Sequence, residues 1–287
     1  MKDIIITSFT DPVCVWCYAT EPVMRAIEMR YPQVEIRYTM GGMVRDLNDF
    51  EDPDNDIMPA RGWVNEQIMK HWLQSAPRHL MPVKAEGFHL FDEEYPSTYP
   101  QSIAYKAAEL IAPKKAEAYL RALRVAAIAQ ARQISRLDVQ IEIAQECGIP
   151  LEAFKQAMED GSAQRAFMVD LALTQALGVD VFPTFMVKSS RAQEMKMKGF
   201  NTFEDFEQVF KKLSGGDMTP LPSPPDEELL VFYLIKYGSL AMEEIYQAFD
   251  FDSRSQAEVW VSELEKKSML TLEPVGKSFF VRLADKG

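Results

Sequence analysis

Cysteine is scarce in this chain of 287 residues, which contains only three. So few cysteines cannot form the disulfide framework that holds small secreted proteins together. Long apolar runs are missing as well, because the longest notable one, residues 229–235, is far shorter than the ~20 residues that cross a bilayer. Residues 1–8 carry Lys2 and Asp3 and lack the apolar region of a signal peptide. We therefore expect a soluble, cytoplasmic protein that does not bind membranes.

Basic side chains are in the minority. The sequence has 31 Lys and Arg residues against 43 Asp and Glu residues, a formal net charge of −12. This charge repels phosphate backbones and anionic lipids, so nucleic acid is not an expected partner. The remaining composition, 47% hydrophobic and 26% charged residues, is ordinary for a globular protein of one or two domains.

A strand, a helix and a second strand are predicted at the start of the chain. Residues 3–9 are rich in β-branched side chains and predict a strand that Pro12 ends. Residues 14–30 predict one helix, and residues 34–40 alternate as in a second strand. Because the connections are short, this pattern predicts a right-handed βαβ unit.

Helical periodicity dominates the residues that follow, from about 44 to 177, and strand patterns are absent there. The helices predicted in this stretch cover residues 59–74, 100–111, 114–131, 138–147, 150–159 and 163–177. Residues 184–187 and 194–198 then predict a hairpin, and residues 202–213 a final helix. The order βαβ, helices, ββα predicts an α/β protein in which residues 1–213 form a thioredoxin fold with a large helical insertion.

The carboxyl-terminal part has a different pattern. Glycine and proline at residues 214–225 predict a linker, and residues 226–287 predict a winged-helix-like α+β domain. Its three helices and two strands are predicted at residues 227–237, 241–249, 253–267, 270–275 and 279–283. This domain has twelve acidic and seven basic side chains, and its third helix has no basic face for phosphates. We expect it to bind a protein partner or a second copy of the chain, and not nucleic acid.

Cys14 and Cys17 form the candidate reactive site. Their spacing on the first turn of a predicted helix allows them to close a small disulfide ring. Cys14 is the predicted nucleophile, because free backbone N–H groups and the positive end of the helix stabilise a thiolate there. Cys17 would then resolve the mixed disulfide. The same spacing also suits half of a zinc site.

A zinc site would need two further ligands. The remaining candidates are Cys147, His71, His79 and His89, whose spacings match no usual zinc site. We interpret Cys147 as a small buried apolar residue. The histidines are predicted to pack or to lie on the surface, with a place in the wall of a substrate groove as the alternative. We expect no metal, and no cofactor besides a redox-active disulfide between Cys14 and Cys17.

A proline far downstream decides between redox chemistry and zinc. The sequence Phe182-Pro183-Thr184 precedes the predicted hairpin. In the thioredoxin architecture, an X-Pro bond at this place is cis and lies against the disulfide. It keeps a metal out and leaves the backbone of the preceding residue free to pair with an extended substrate. We therefore predict a cis bond between Phe182 and Pro183, and contacts from Phe182, Trp16 and Val15 to the substrate.

Two segments together carry a resemblance to a known family. Residues 9–18, FTDPVCVWCY, and residues 181–185, VFPTF, resemble the DsbA superfamily, closest to its cytoplasmic FrnE-like branch. The resemblance covers about residues 1–213. It implies a thioredoxin fold with an inserted helical domain and disulfide oxidoreductase or isomerase activity on protein or peptide thiols. It also implies that Cys14, Cys17 and Pro183 form the catalytic site.

This sequence departs from the DsbA pattern in two places. The dipeptide Val15-Trp16 lacks the histidine that stabilises the thiolate in strongly oxidising members, and Phe182 replaces the more usual small β-branched residue before the proline. These departures leave the oxidising strength and the substrate preference open.

A second resemblance offers an alternative function. Asp11-Pro12, the paired cysteines and residues 19–23, ATEPV, also resemble the Spx-adaptor proteins. In those proteins a DsbA-like domain presents a regulator to a protease. This resemblance implies that the CxxC motif is regulatory and not catalytic, and the acidic carboxyl-terminal domain suits such a role.

Overall fold

The computed structural model describes residues 3–52, 57 and 63–284. A four-stranded sheet with the order β2-β1-β3-β4 lies at the centre of the amino-terminal part. Its strands are β1 (Ile4–Thr10), β2 (Val34–Met40), β3 (Thr184–Ser189) and β4 (Glu194–Lys198). Strand β1 pairs in parallel with β2 and antiparallel with β3, and β3 pairs antiparallel with β4. The β-branched strand that opens the chain is therefore central, and its Ile6 is fully buried.

The segment predicted as one helix over residues 14–30 forms two helices, so that prediction is wrong in detail. They are α1 (Val15–Ala19) and α2 (Glu21–Arg30). Thr20 separates them, and its hydroxyl donates a hydrogen bond to the carbonyl oxygen of Cys17 at 2.7 Å. Pro22 lies in the first turn of α2, where the missing N–H group leaves no hydrogen bond unmade. The apolar periodicity continues across the break, so the sequence pattern does not reveal it.

The helical insertion contains α3 (Val64–His79), α4 (Tyr99–Ile111), α5 (Pro113–Ala129), α6 (Leu137–Glu146), α7 (Leu151–Glu159) and α8 (Ser162–Ala176). Helix α3 continues past its predicted end at residue 74, until Leu80 adopts a left-handed conformation with a φ of 57°. Its predicted start at residue 59 lies outside the described residues. The helices share one core, which includes Trp72, Leu123 and Phe154.

The hairpin of β3 and β4 leads into α9 (Phe203–Ser214). Thr202 caps this helix, because its hydroxyl accepts from the backbone N–H of Asp205 and the Asp205 carboxylate accepts from the backbone N–H of Thr202. Phe206 and Phe210 are fully buried and pack with β1 and β3 in a second core. The helix thereby covers one face of the sheet.

The carboxyl-terminal part consists, within residues 226–284, of three helices and a small sheet with the strand order β5-β7-β6. The elements are α10 (Glu227–Tyr237), β5 (Leu240–Ala241), α11 (Met242–Ala248), α12 (Arg254–Lys266), β6 (Leu270–Val275) and β7 (Ser278–Leu283). The sequence does not predict β5, because two residues are too short for a strand pattern. The winged-helix assignment stays a prediction. Over residues 3–52 and 63–284, no helix has both the length and the apolar character to cross a membrane.

Residues 214–225 connect the two parts and are bonded to both. The Leu221 N–H donates to the carbonyl oxygen of Arg30 at 2.8 Å, and the Asp250 N–H donates to that of Ser223 at 2.7 Å. Met218 is buried in the core beneath the first sheet. Conversely, Met29 of α2 packs against the core of the carboxyl-terminal part. The division into residues 1–213, 214–225 and 226–287 stays a prediction, but the two parts are in close contact.

Candidate functional site

Cys14 and Cys17 are joined by a disulfide, and their Cα atoms lie 5.1 Å apart. Cys14 is the N-cap of α1, and its sulfur accepts a hydrogen bond from the backbone N–H of Cys17 at 3.1 Å. Cys14 is 3% exposed and Cys17 is 1% exposed. A backbone N–H in this place would also point at the sulfur of a reduced Cys14, and the role of Cys14 as the nucleophile stays a prediction.

A buried carboxylate fixes the loop that leads into Cys14. Asp11 accepts hydrogen bonds from the N–H groups of Val13 at 3.0 Å and Met43 at 2.8 Å, and from the Thr98 hydroxyl at 3.0 Å. Burial raises the pKa of the Asp11 carboxyl, while the hydrogen bonds from Met43 and Val13 oppose the rise. Asp11 thus joins the loop before Cys14 to the segment after β2 and to the insertion. Sequence reasoning gave Asp11 only as part of a motif, with no role.

The Phe182–Pro183 peptide bond is cis, and Pro183 is buried. The Gly199 N–H donates to the carbonyl oxygen of Pro183 at 2.8 Å, which fastens this loop to the end of the hairpin. The Thr184 hydroxyl donates to the carbonyl oxygen of Val181 at 2.7 Å. These bonds hold the residue before the proline in a defined place.

Gly41 is a site residue that sequence reasoning missed. A Cβ atom at this position would lie 2.0 Å from Cζ of Phe182. Only glycine therefore leaves room for the Phe182 ring beside the end of β2. The available sequence signal is the pair Gly41-Gly42 directly after the predicted second strand, and in sequence such a pair indicates only the end of a strand.

A cleft of about 510 Å³ opens between α1 and the helical insertion. Cys14, Val15, Trp16 and Phe182 all line it, so the structure brings four of the predicted site residues to one surface. Most of the other lining side chains are apolar, among them Met43, Ile68, Trp72 and Phe91. His71 lines the cleft as well, which matches the groove-wall alternative for one of the three histidines.

Three side chains contact the ring of Trp16. Its ring lies edge to face with His79, with ring centroids 6.2 Å apart, and 6.1 Å from the ring of Phe200. The guanidinium of Arg78 stands 4.8 Å above the Trp16 ring. Burial lowers the pKa of His79 to about 4, so this ring is uncharged at neutral pH. His79 therefore packs against the site without adding a charge to it.

The remaining candidates for metal binding are Cys147 and the three histidines, of which His71 shares the cleft with Cys14. Among the described residues, no group of three or more His, Cys, Asp or Glu side chains could hold a metal ion. Cys147 is a free thiol at the end of α6 and is partly buried. Burial raises the pKa of Cys147 to about 11, which leaves very little thiolate at neutral pH.

The fold and the paired cysteines together define a protein of the thioredoxin class. The family Thioredoxin_5, described as thioredoxin, matches residues 8–208, and the chain belongs to that family.

Solved structures with the same fold include two bacterial disulfide proteins. One, from Nitrosomonas europaea, is assigned as a protein disulfide isomerase; it aligns with a TM-score of 0.62 and 19% identity, over 75% of this chain and all of the other. The second is the cytosolic disulfide reductase DsbM from Pseudomonas aeruginosa, with a TM-score of 0.52 and 21% identity over 74% of this chain and 93% of DsbM. These structures confirm the thioredoxin fold.

Among characterised sequences, the chain is similar to ClpXP adapter proteins called SpxH. The SpxH of Halalkalibacterium halodurans is 27% identical over 285 residues, which cover 98% of this chain and 89% of the relative. The SpxH of Bacillus subtilis is 24% identical over 252 residues, or 87% of this chain and 79% of the relative. The similarity to Spx-adaptor proteins is therefore confirmed, and it extends beyond the thioredoxin match.

Proposed function

We propose that this protein catalyses thiol–disulfide exchange on protein or peptide thiols. The main observation that supports this function is that Cys14 lines an open cleft beside the cis Phe182–Pro183 bond. Cys17 lies one turn further into the same helix. In the reducing direction, the Cys14 thiolate attacks one sulfur of a substrate disulfide, and the other substrate sulfur leaves as a thiolate. The Cys17 thiolate then attacks the Cys14 sulfur, which forms the Cys14–Cys17 disulfide and releases the second substrate thiol.

The substrate would bind in the cleft as an extended segment. Its backbone would pair with that of Phe182 next to Pro183, and its side chains would contact Val15 and Trp16. The apolar lining favours a segment with bulky apolar residues near its cysteine. The reaction needs no metal and no bound cofactor. The reduction potential of the Cys14–Cys17 pair sets the direction of electron flow. A value of about −270 mV makes the protein a reductant or isomerase, and a value of about −120 mV makes it an oxidant.

Trapping the mixed disulfide tests this function. Cys17→Ser removes the resolving thiol, so the variant should accumulate one covalent adduct on Cys14 when it meets a disulfide-bonded peptide. Intact-mass and peptide mass spectrometry would locate the adduct. Adding Cys147→Ser should leave the adduct unchanged, since the Cys147 thiol is mostly protonated. Absence of an adduct, or an adduct on Cys147, would rule out the proposed exchange.

A second candidate function is that of a protein adaptor, in which the CxxC pair is regulatory. The observation in its favour is the similarity to SpxH over 98% of the chain, because this includes the carboxyl-terminal part outside the thioredoxin match at residues 8–208. Exposed apolar side chains on α10 and α12, Phe232, Ile235 and Val259, offer a surface for a protein partner or a second copy. An adaptor of this kind would work in the cytoplasm, without nucleic acid or membrane.

The adaptor function makes a different prediction for the cysteines. A Cys14→Ser, Cys17→Ser double variant should deliver an Spx-type regulator to ClpXP as efficiently as the wild type does. Degradation rates measured with purified components would show this. If neither protein accelerates degradation, the adaptor function is excluded; if only the wild type does, the cysteines are part of the function.

A further inference from the structure

Five charged side chains are buried together where α2, α5 and the carboxyl-terminal helices meet. Each is at most 2% exposed; they are Glu21, Arg25, Arg121, Arg124 and Glu244. Removing a charged group from water costs several kcal/mol, so such groups persist only when they are paired. No sequence pattern marks this cluster, because charged residues on helices usually lie at the surface.

Arg124 connects both ends of the segment that carries the two cysteines. Its guanidinium donates one hydrogen bond to the hydroxyl of Thr10 and another to the carboxylate of Glu21. Thr10 is the last residue of β1, and Glu21 is the first residue of α2. Cys14 and Cys17 lie between these two anchors, so one side chain of α5 fixes where the redox segment begins and ends.

A series of charge pairs extends from Arg124 and Glu21 into the carboxyl-terminal part. Glu21 lies 3.4 Å from Arg25, and Arg25 lies 3.7 Å from Glu244 of α11. Glu244 also receives two hydrogen bonds from Arg121. Although burial opposes it, the attraction of Arg121 and Arg25 holds the pKa of Glu244 below its usual value, so the carboxylate is ionised at neutral pH.

We propose that Arg124 is a positioning residue for the Cys14–Cys17 pair, and that Glu244 of the carboxyl-terminal part helps to set the reduction potential of this pair. A positive charge near Cys14 favours the thiolate and therefore the reduced form. Arg124 supplies such a charge close to the loop before Cys14, since its guanidinium is bonded to Thr10, the residue directly before Asp11. Glu244 acts in the opposite sense, because it neutralises Arg25 and Arg121.

A redox titration of the full chain against glutathione tests this proposal, with the oxidised fraction measured by thiol alkylation and mass spectrometry. Arg124→Gln should shift the equilibrium about tenfold toward the disulfide, or ~30 mV to more negative potential. Glu244→Gln should shift it about threefold toward the dithiol. Arg124→Lys keeps the charge but cannot bridge Thr10 and Glu21 in the same way, so it should retain part of the Arg124→Gln shift.

Glu243→Gln is the matched control. Glu243 is the neighbouring buried carboxylate on α11, and it bonds to Gln247 on its own helix and faces Arg254. This variant should stay within about twofold of the wild type. Simple loosening of the structure would move the Arg124 and Glu244 variants in the same direction, whereas the proposal requires opposite directions.

The outcomes separate this proposal from the proposed exchange function. Suppose that the wild type equilibrates with glutathione. If the variants then have unchanged potentials, or potentials that all shift in one direction, the positioning role is overturned and the exchange function is not. A wild type that does not equilibrate with glutathione overturns both. If Glu244→Gln does not fold, Glu28→Gln removes another carboxylate that pairs with Arg25 and should also shift the equilibrium toward the dithiol, opposite to Arg124→Gln.

Discussion

At the scale of single residues, Gly41 matters because Phe182 leaves no room for a Cβ atom at this position. Gly41→Ala places a methyl group against the Phe182 ring, so the ring must leave its position. We expect a loss of about 1–3 kcal/mol in unfolding free energy and a loss of about tenfold or more in exchange rate, because a displaced ring misplaces the substrate. Urea unfolding and peptide exchange kinetics measure the two effects.

A second substitution provides the control for Gly41. Phe182→Leu shortens the side chain that clashes, so Gly41→Ala should cost clearly less stability in that background than in the wild type. Equal costs in both backgrounds would show that the close approach of Gly41 and Phe182 is not the reason for the glycine.

His79 predicts a pH dependence of stability. Its folded-state pKa of about 4 lies below the ordinary value of 6.5, because burial disfavours the charged ring. The unfolded chain therefore binds the proton more readily, so His79 stabilises the fold fully above about pH 6.5, and this contribution is lost as pH falls toward 4. The expected loss is ~3 kcal/mol in unfolding free energy.

Urea unfolding between pH 7 and 4 measures this effect. His79→Asn, which keeps an acceptor for the Met81 N–H, should have a flatter profile than the wild type. His89→Gln replaces an exposed histidine and serves as the control. A wild-type profile that His79→Asn leaves unchanged would contradict the assignment.

Sequence alone predicts the residues of the site that lie in local patterns. Cys14 and Cys17 belong to a short motif, and Phe182-Pro183 directly precedes a hairpin, so neighbours along the chain identify them. Gly41 and Arg124 act across the fold, on residues far away in sequence. No periodicity marks such contacts, and only the three-dimensional structure shows them.

At the scale of secondary structure, the break between α1 and α2 shapes the redox segment. The Thr20 hydroxyl holds the carbonyl oxygen of Cys17 at this break. Thr20→Val keeps the shape but removes the hydroxyl, and it should cost about 1 kcal/mol in unfolding free energy. Thr20→Ser retains the bond and should cost less; a larger loss in Thr20→Ser than in Thr20→Val would mean that the methyl group, not the hydroxyl, matters.

Most helices and strands were predictable from sequence because their patterns are long. The second strand and the first carboxyl-terminal helix have the predicted limits, Val34–Met40 and Glu227–Tyr237. Two elements were not predictable in this way. The Thr20 break falls inside continuous periodicity, and β5 is formed by pairing with a distant strand, β7.

At the scale of the whole molecule, the sequence does not predict that the carboxyl-terminal part packs against the amino-terminal part. The acidic composition of residues 226–287 indicated a separate interaction module. In the structure, its Glu244 is buried against Arg25 and Arg121 of the amino-terminal part. In a sequence, arginines on helices are predicted to lie at the surface. Their burial here depends on contact with the other part of the chain, which only the folded structure shows.

This docking predicts that the two parts unfold together. Far-ultraviolet circular dichroism and tryptophan fluorescence should report one coincident transition for the full chain in urea, because separating the parts would leave buried charges unpaired. Glu244→Gln should move the midpoint of both signals equally. Two separate transitions in the wild type would show that the interface does not couple the parts.

The most direct test of the central claim is catalysed exchange by the purified full chain. With glutathione as the redox buffer and a disulfide-bonded peptide as substrate, catalytic amounts of the wild type and of Cys147→Ser should accelerate exchange equally. Cys14→Ser should be inactive, and Cys17→Ser should stall as a mixed disulfide on Cys14. If the wild type is no faster than Cys14→Ser, the Cys14–Cys17 pair does not catalyse exchange and the account is wrong.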